Sequence, residues 1–257
     1  MKIVVCVKHV PDVQSERRLE DGRLVRGEED VLNELDENAV EAAVSLAEEH
    51  DGEVIALCMG PQDAEDGVRR ALQMGADRGV IVSDEHLAGA DVVTTARVLA
   101  AAIAQIGQDA PVDLVITGMA SLDALTSALP GALGAATGLP TLTLANSLEV
   151  EGSQVTITRQ LGSVTEVLTA PMPALVSVTD QANEPRYPNF AAMRAAKKKS
   201  VDIVTCADLG VNLGEAPILV SVVDAAQRPA REAGIIRTDA GEAGRELAAW
   251  LVENKLV

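Results

Sequence analysis

At 257 residues, 47% of them hydrophobic, the chain can bury one sizeable core without disulfide bonds, as one large α/β domain or a domain with an appendage. A formal charge of −18 argues against a nucleic-acid partner, which calls for clustered Lys and Arg along one face. Cys6, Cys58 and Cys206 are odd in number, widely spaced and free of any CxxC pair, which suits reduced thiols in a cytoplasmic setting.

The N-terminal apolar run ends at Lys8-His9, shorter than the apolar region of a signal peptide. No stretch approaches the length of a bilayer span, so a soluble cytoplasmic protein without membrane insertion is expected. Ile3 to Val7, short and β-branched, reads as a buried first strand. Residues 9 to 33 follow as a long polar connection, with a small hairpin expected about Asp21-Gly22. After Asn33, the positions Leu35, Ala39, Val40, Ala43, Val44 and Ala47 fall on one helix face, and Gly52 ends that helix. Val54 to Cys58 is the second strand, Gly60-Pro61 opens the second helix and Gly75 closes it. Gly79 to Val82 makes a third strand, Asp91 to Ile106 a third helix, and Val112 to Thr117 a fourth strand ending at Gly118. A helix from about Ala124 to Thr137 is predicted next.

The texture then changes. Thr141 to Val150, Val155 to Gln160, Val164 to Leu168 and Ala174 to Thr179 alternate apolar and polar residues, with Glu151-Gly152 as a turn. Ile218 to Val223 reads as one more strand and Glu242 to Val252 as a terminal helix, in a region from about residue 200 that looks like a tail. The fold class is therefore α/β: an open, mainly parallel twisted sheet with helices on both faces, Rossmann-like, plus an extended C-terminal arm. The expected division is 1–182 for the α/β domain and 183–257 for the loop and arm that follow it.

In such a sheet, ligands sit beyond the carboxyl ends of the strands where the strand order reverses. Cys6 to Val13, Met59-Gly60-Pro61 and Gly118 to Ser127 meet that condition. The last is small and polar ahead of a helix, where free backbone N–H groups favour an anion such as phosphate; an ordinary capped helix start is the other reading. Neither GxGxxG nor GxxxxGK[ST] occurs, and the scattered His9, His50 and His86 have no metal-ligand spacing. Ser and Thr residues near Gly118 lack a neighbouring base, so no nucleophilic catalyst is expected.

The chain has one Trp, one Tyr and one Phe, and two of these, Tyr187 and Phe190, lie in the polar stretch from Asn183 to Lys199. Aromatics ordinarily go where burial is largest, so a loop that keeps two of three invites an interface reading. Lys197-Lys198-Lys199, ordinarily a solvated run, stands beside them and suits the steering of an acidic partner.

Asn183-Glu184-Pro185-Arg186-Tyr187 with Ala195-Ala196-Lys197-Lys198-Lys199 resembles the beta subunit of electron transfer flavoprotein, and the likeness runs along essentially the whole chain. Supporting matches are Val7-Lys8-His9-Val10-Pro11-Asp12, Glu37-Asn38-Ala39-Val40-Glu41, Ala71-Leu72-Gln73-Met74-Gly75-Ala76-Asp77 and Asp208-Leu209-Gly210-Val211. The resemblance implies an electron carrier subunit, not an enzyme. It would pair with an alpha subunit that holds most of a shared FAD, and would bury a structural AMP. Docking partners would be flavin dehydrogenases such as acyl-CoA dehydrogenases, in fatty acid oxidation, and electron transfer flavoprotein:quinone oxidoreductase.

By position, the resemblance puts the cofactor contacts on Cys6, Asn33, Glu34, Leu35, Asp36, Met59, Gly118, Met119, Ala120, Ser121, Asp123, Thr126 and Ser127. It puts partner docking on Arg186, Tyr187, Phe190, Met193, Lys197, Lys198 and Lys199, with Phe190 as the apolar anchor. Where many relatives carry an acidic run, this chain has Asp123 alone; Gln160 stands for a carboxylate and Val13 for an aromatic near the flavin ring. The alternative is a stand-alone universal-stress-type nucleotide-binding sensor, which shares the topology but gives no reason for the aromatic loop and arm.

Overall fold

Ile3, Val5 and Val7 point to one side of a central strand and Val4 and Cys6 to the other, and both sets are buried, in two separate apolar clusters. A strand covered on both faces needs helices above and below, which is the arrangement found in the computed structural model. The structure describes residues 1–20, 22–212, 218–226, 228–234, 236 and 238–257. Two compact units are present, Met1–Ala225 and Ala226–Val257.

The first unit contains, in chain order, β1 (Lys2–Val7), β2 (His9–Pro11), β3 (Leu19–Glu20), β4 (Arg23–Leu24), β5 (Asp30–Leu32), α1 (Glu34–Glu49), β6 (Glu53–Met59), α2 (Glu65–Met74), β7 (Arg78–Val82), α3 (Val92–Ile106), β8 (Leu114–Gly118) and α4 (Leu129–Thr137). It continues with β9 (Thr141–Ala145), β10 (Ser147–Glu151), β11 (Gln154–Leu161), β12 (Val164–Pro171), β13 (Ala174–Val178), α5 (Phe190–Ala196) and β14 (Val201–Val204). Seven parallel strands form the main sheet in the order β14-β7-β6-β1-β8-β13-β9. Helices α1 and α2 cover one face, together with the inward residues Val155, Ile157 and Ala170 of the antiparallel sheet β10-β11-β12. Helices α3 and α4 cover the other face. The expected open parallel α/β architecture is therefore observed. Among the described residues, the second unit carries one helix, α6 (Ala243–Glu253), on the stretch read as a terminal helix.

Several local expectations change. The helix predicted from Ala124 begins only at Leu129, because Leu125 and Ser127 hold left-handed backbone (φ 52° and 51°) that no right-handed helix accommodates. The single strand expected over Thr141 to Val150 divides between two sheets. Leu144 is also left-handed there, and its amide donates to Ser177 Oγ at 2.9 Å. Val201–Val204, read as tail, is instead a strand at the sheet edge beside β7. Ile218 to Val223 forms no strand; Leu219 and Val220 donate their amides to the Asp91 carboxylate at 2.8 and 3.1 Å instead of to a ladder. The small hairpin is present as β3 and β4, with Asp21 outside the described residues. The same connection also forms a second short ribbon, β2 with β5, that the sequence did not announce.

Glycine supports this packing where backbones meet. A Cβ at Gly134 of α4 would lie 1.9 Å from Thr141 Oγ1 and 3.0 Å from Thr141 Cβ on β9. The threonine side chain is short and its hydroxyl already donates to Leu139 O, so it has little room to yield. We expect Gly134→Ala to destabilise the protein by about 1–3 kcal/mol, read as a lowered urea midpoint, while Gly131→Ala, with open space around it, leaves the midpoint unchanged or raises stability by up to about 1 kcal/mol.

Candidate nucleotide and docking sites

The chain runs from β1 outward to β6 on one side, whereas β8 lies on the other, so the strand order reverses between β1 and β8. The first turn of α1 sits over that reversal. The carboxylate of Asp36 accepts the Lys8 amide at 2.8 Å, just past β1, and also an amide hydrogen bond from Gly118 at the end of β8. Asn33, fully buried, reads the other loop: its Nδ2 donates to Ala120 O and its Oδ1 accepts the Leu122 amide, both at 2.9 Å. Closeness depends on Gly118, since a Cβ there would stand 2.5 Å from Asp36 Oδ1 and 2.6 Å from Leu35 O. One helix turn thus ties together the two loops that leave the adjacent strand ends.

Charge is arranged unevenly around this turn. Burial pushes the Asp36 carboxyl up to about 7, against the lowering effect of its hydrogen bonds to Asn33, Lys8 and Gly118. Asp123 goes the other way. Burial raises it, but the Lys8 charge and hydrogen bonds from Arg26 and Lys8 outweigh burial and bring it down to about 2. Lys8 Nζ lies 2.9 Å from the Asp123 carboxylate, whose side chain is 2% exposed, and the Arg26 guanidinium closes on the same group. Arg17 Nη2 donates to Leu122 O at 2.9 Å, so the β3–β4 finger is fastened to the loop after β8 at two points.

The remaining expected cofactor residues distribute around this centre. Met119, Ala120 and Ser121 are half-buried, while Thr126 and Ser127 are exposed on the loop ahead of α4. Glu34 is exposed, and Leu35 and Met59 are half-buried, Met59 against the α3 side of the sheet. Cys6 is buried and its thiol is pushed up to about 12, first by burial and then by Asp36, so it is an inert packing residue. His9 packs against Gly67 of α2. Lys8, Arg17 and Arg26 were not singled out from the sequence. Lys8 could have been, as a charged residue set directly beyond a buried strand; the two arginines carry no local signal because their partners lie about a hundred residues away.

A second surface lies on the segment from Asn183 to Lys199. Tyr187 and Phe190 are 87% and 86% exposed, and Asn189 caps α5 by accepting the Ala192 amide at 2.9 Å. Lys197 and Lys198 are exposed and Met193 is half-buried. Arg186 and Lys199 behave differently: Arg186 forks onto Glu41 and Glu48, and Lys199 Nζ reaches Ala76 O at 2.6 Å.

A family model described as "Electron transfer flavoprotein domain" matches residues 21–209. "Electron transfer flavoprotein subunit beta" of Mycobacterium tuberculosis is 37% identical over 99% of both chains. The chain belongs to the electron transfer flavoprotein beta-subunit family. The protein of the same description from Syntrophomonas wolfei is 33% identical over 98% of this chain and 96% of its own, and "Protein FixA" of Azorhizobium caulinodans is 36% identical over 82% and 77%. Membership makes this chain a non-catalytic component of an electron carrier and decides against the stand-alone stress-sensor alternative. Among the described residues, no helix is long and apolar enough to cross a membrane.

The raised Asp36 carboxyl has a definite sign. Between about pH 4 and pH 7 the folded chain holds a proton that the unfolded chain has released, so stability falls as pH rises through this window. Asp123, held low, stabilises above its unfolded value near 4 and loses that contribution only as pH falls toward 2. We expect Asp36→Asn to flatten the decline in urea midpoint between pH 4 and 7, and Asp123→Asn to leave that slope in place while lowering the midpoint throughout it.

Proposed function

We propose that this chain is the beta subunit of a heterodimeric electron transfer flavoprotein, whose alpha subunit holds most of the shared FAD. It buries AMP beside the β1–β8 reversal, completes one wall of the flavin site, and docks flavin dehydrogenases through the segment around Phe190. The electrons are carried toward electron transfer flavoprotein:quinone oxidoreductase. The observation that carries the reading is the outward display of Tyr187 and Phe190, two of the three aromatics, by a chain whose core is built from Val, Leu, Ile and Ala.

The donor set near the reversal suits a nucleotide phosphate. Thr126 and Ser127 offer exposed hydroxyls on the loop just ahead of α4, and Lys8 adds a partly exposed cation. Two left-handed residues in one short loop are costly, at about 1–3 kcal/mol each, and such strain is concentrated where a ligand is held. Asn33 has both ends of its amide committed to the loop, so it would shape the adenine side without a side-chain hydrogen bond of its own. Toward the flavin, Val13 on the β2–β5 connection supplies an exposed apolar contact.

Bound FAD would supply the redox chemistry. This chain's residues hold, orient and exclude water, and none of them makes or breaks a bond. The buried thiol of Cys6 and the ion-paired Asp123 take no part as nucleophile or proton donor near neutral pH.

Expressed alone, the chain should purify with little or no yellow flavin and gain it on co-expression with an alpha subunit; a flavin-loaded homodimer would end this reading. Phe190→Ala in the heterodimer should raise the KM for an acyl-CoA dehydrogenase about ten- to a hundredfold, the loss of one buried Phe side chain, while leaving the flavin spectrum intact. Transfer kinetics equal to the parent would remove the segment from docking.

A further inference from the structure

The exposed aromatics are held between two anchored ends. At the start of the segment, Asn38 Nδ2 donates to Asn183 O and Oδ1 at 3.0 and 3.2 Å, and Asn183 Nδ2 donates back to Asn38 O at 3.0 Å. Three residues on, Arg186 Nε and Nη2 take the two oxygens of Glu41 at 2.8 and 2.9 Å, and its backbone N–H adds a third bond to Glu41 at 2.9 Å. The same guanidinium reaches Glu48 at 2.6 and 3.1 Å. Glu41 is only 9% exposed, so a carboxylate there requires a paired cation, and a planar five-donor fork is the side chain that meets two carboxylates at once.

The far end is fixed to α2. Lys199 Nζ donates to Ala76 O at 2.6 Å and to Leu72 O and Gly75 O at 3.3 Å, gathering three carbonyls where α2 ends. Arg69, paired with Glu65, donates to Lys199 O at 2.8 Å and Ala196 O at 3.3 Å. Between the two ends, Arg70 lies 5.3 Å over the Tyr187 ring while its Nε holds Glu37 at 3.0 Å. Both α1 and α2 are packed on the main core, so the segment is referenced to rigid helices at each end.

We propose that Arg186 and Lys199 are positioning residues: they clamp residues 183–199 onto α1 and α2 so that Phe190 meets a visiting dehydrogenase already in place. This assignment rests on the docking reading above, and replaces direct partner contact as the task of these two cations. The physical gain is entropic, because a loop ordered before the encounter leaves less freedom to lose on binding.

The test uses the flavin-loaded heterodimer with an acyl-CoA dehydrogenase as electron donor. Arg186→Gln should raise the KM for the dehydrogenase about three- to tenfold, with kcat and flavin content unchanged, and should speed amide hydrogen exchange across residues 187–196. Lys199→Met, at the other end, should give the same pattern. In a Phe190→Ala background, Arg186→Gln should change KM by less than about twofold, because the clamp acts through that side chain. Multiplicative effects of the two substitutions, or exchange rates that do not move, would overturn the clamp. Loss of flavin or of the alpha partner in Arg186→Gln would overturn it too, making Arg186 an assembly residue. If Phe190→Ala alone leaves KM unchanged, the docking reading itself falls, whereas a raised KM with multiplicative double variants removes only the clamp.

Discussion

The start of α1, Asn33 to Glu37, has to satisfy groups belonging to three different parts of the chain, and the geometry of the β1–β8 reversal follows from that constraint. Asp36 takes the amide that leaves β1 and the amide at the end of β8, while Asn33 takes both a carbonyl and an amide of the next loop. Each group so bound would otherwise be a polar atom buried without a partner, which makes the arrangement difficult to deform piecemeal. Gly118 is a consequence of the same closeness, since any side chain there would strike Asp36. The Asp123 ion cluster then fastens the β3–β4 finger to the loop, extending the fixed region outward from the sheet.

A second constraint is the near absence of aromatic residues from the core. Both apolar clusters are built from aliphatic side chains and alanine, which fill the space between helices and strands by close backbone approach. Gly79, whose Cβ would stand 2.4 Å from Val68, and Gly134 mark how near the elements come. With large rings excluded from such narrow gaps, Tyr187 and Phe190 stand on the surface, on a segment gripped at both ends by ion pairs and carbonyl contacts. Rigidity in the aliphatic body and display at the rim are two results of one packing style.

The parallel sheet was legible because each strand and helix announces itself locally. Short β-branched runs mark β1, β6, β7 and β8, the last three with glycine at or beside an end, and Ala39, Val40, Ala43, Val44 and Ala47 make the apolar stripe of α1. What escaped depends on partners distant in sequence. The strand Val201–Val204 is too short to read alone and exists because β7 offers it an edge. The α4 start was placed too early because the left-handed turns at Leu125 and Ser127 leave no mark on residue type. Among the site residues, Asp36, Asn33 and Gly118 do converge on the reversal. The roles of Arg186 and Lys199 were hidden for a further reason: a charge in a polar loop looks solvated until the buried Glu41 and the open end of α2 are placed beside it.

The aromatic economy also shapes what light can report. Trp250, 47% exposed on α6 of the C-terminal unit, is the sole indole in the chain. Indole emission therefore comes from one known position in residues 226–257, and excitation at the red edge of tryptophan absorption separates it from Tyr187. The polypeptide is a natural single-tryptophan reporter for the surroundings of that unit, and needs no engineered label.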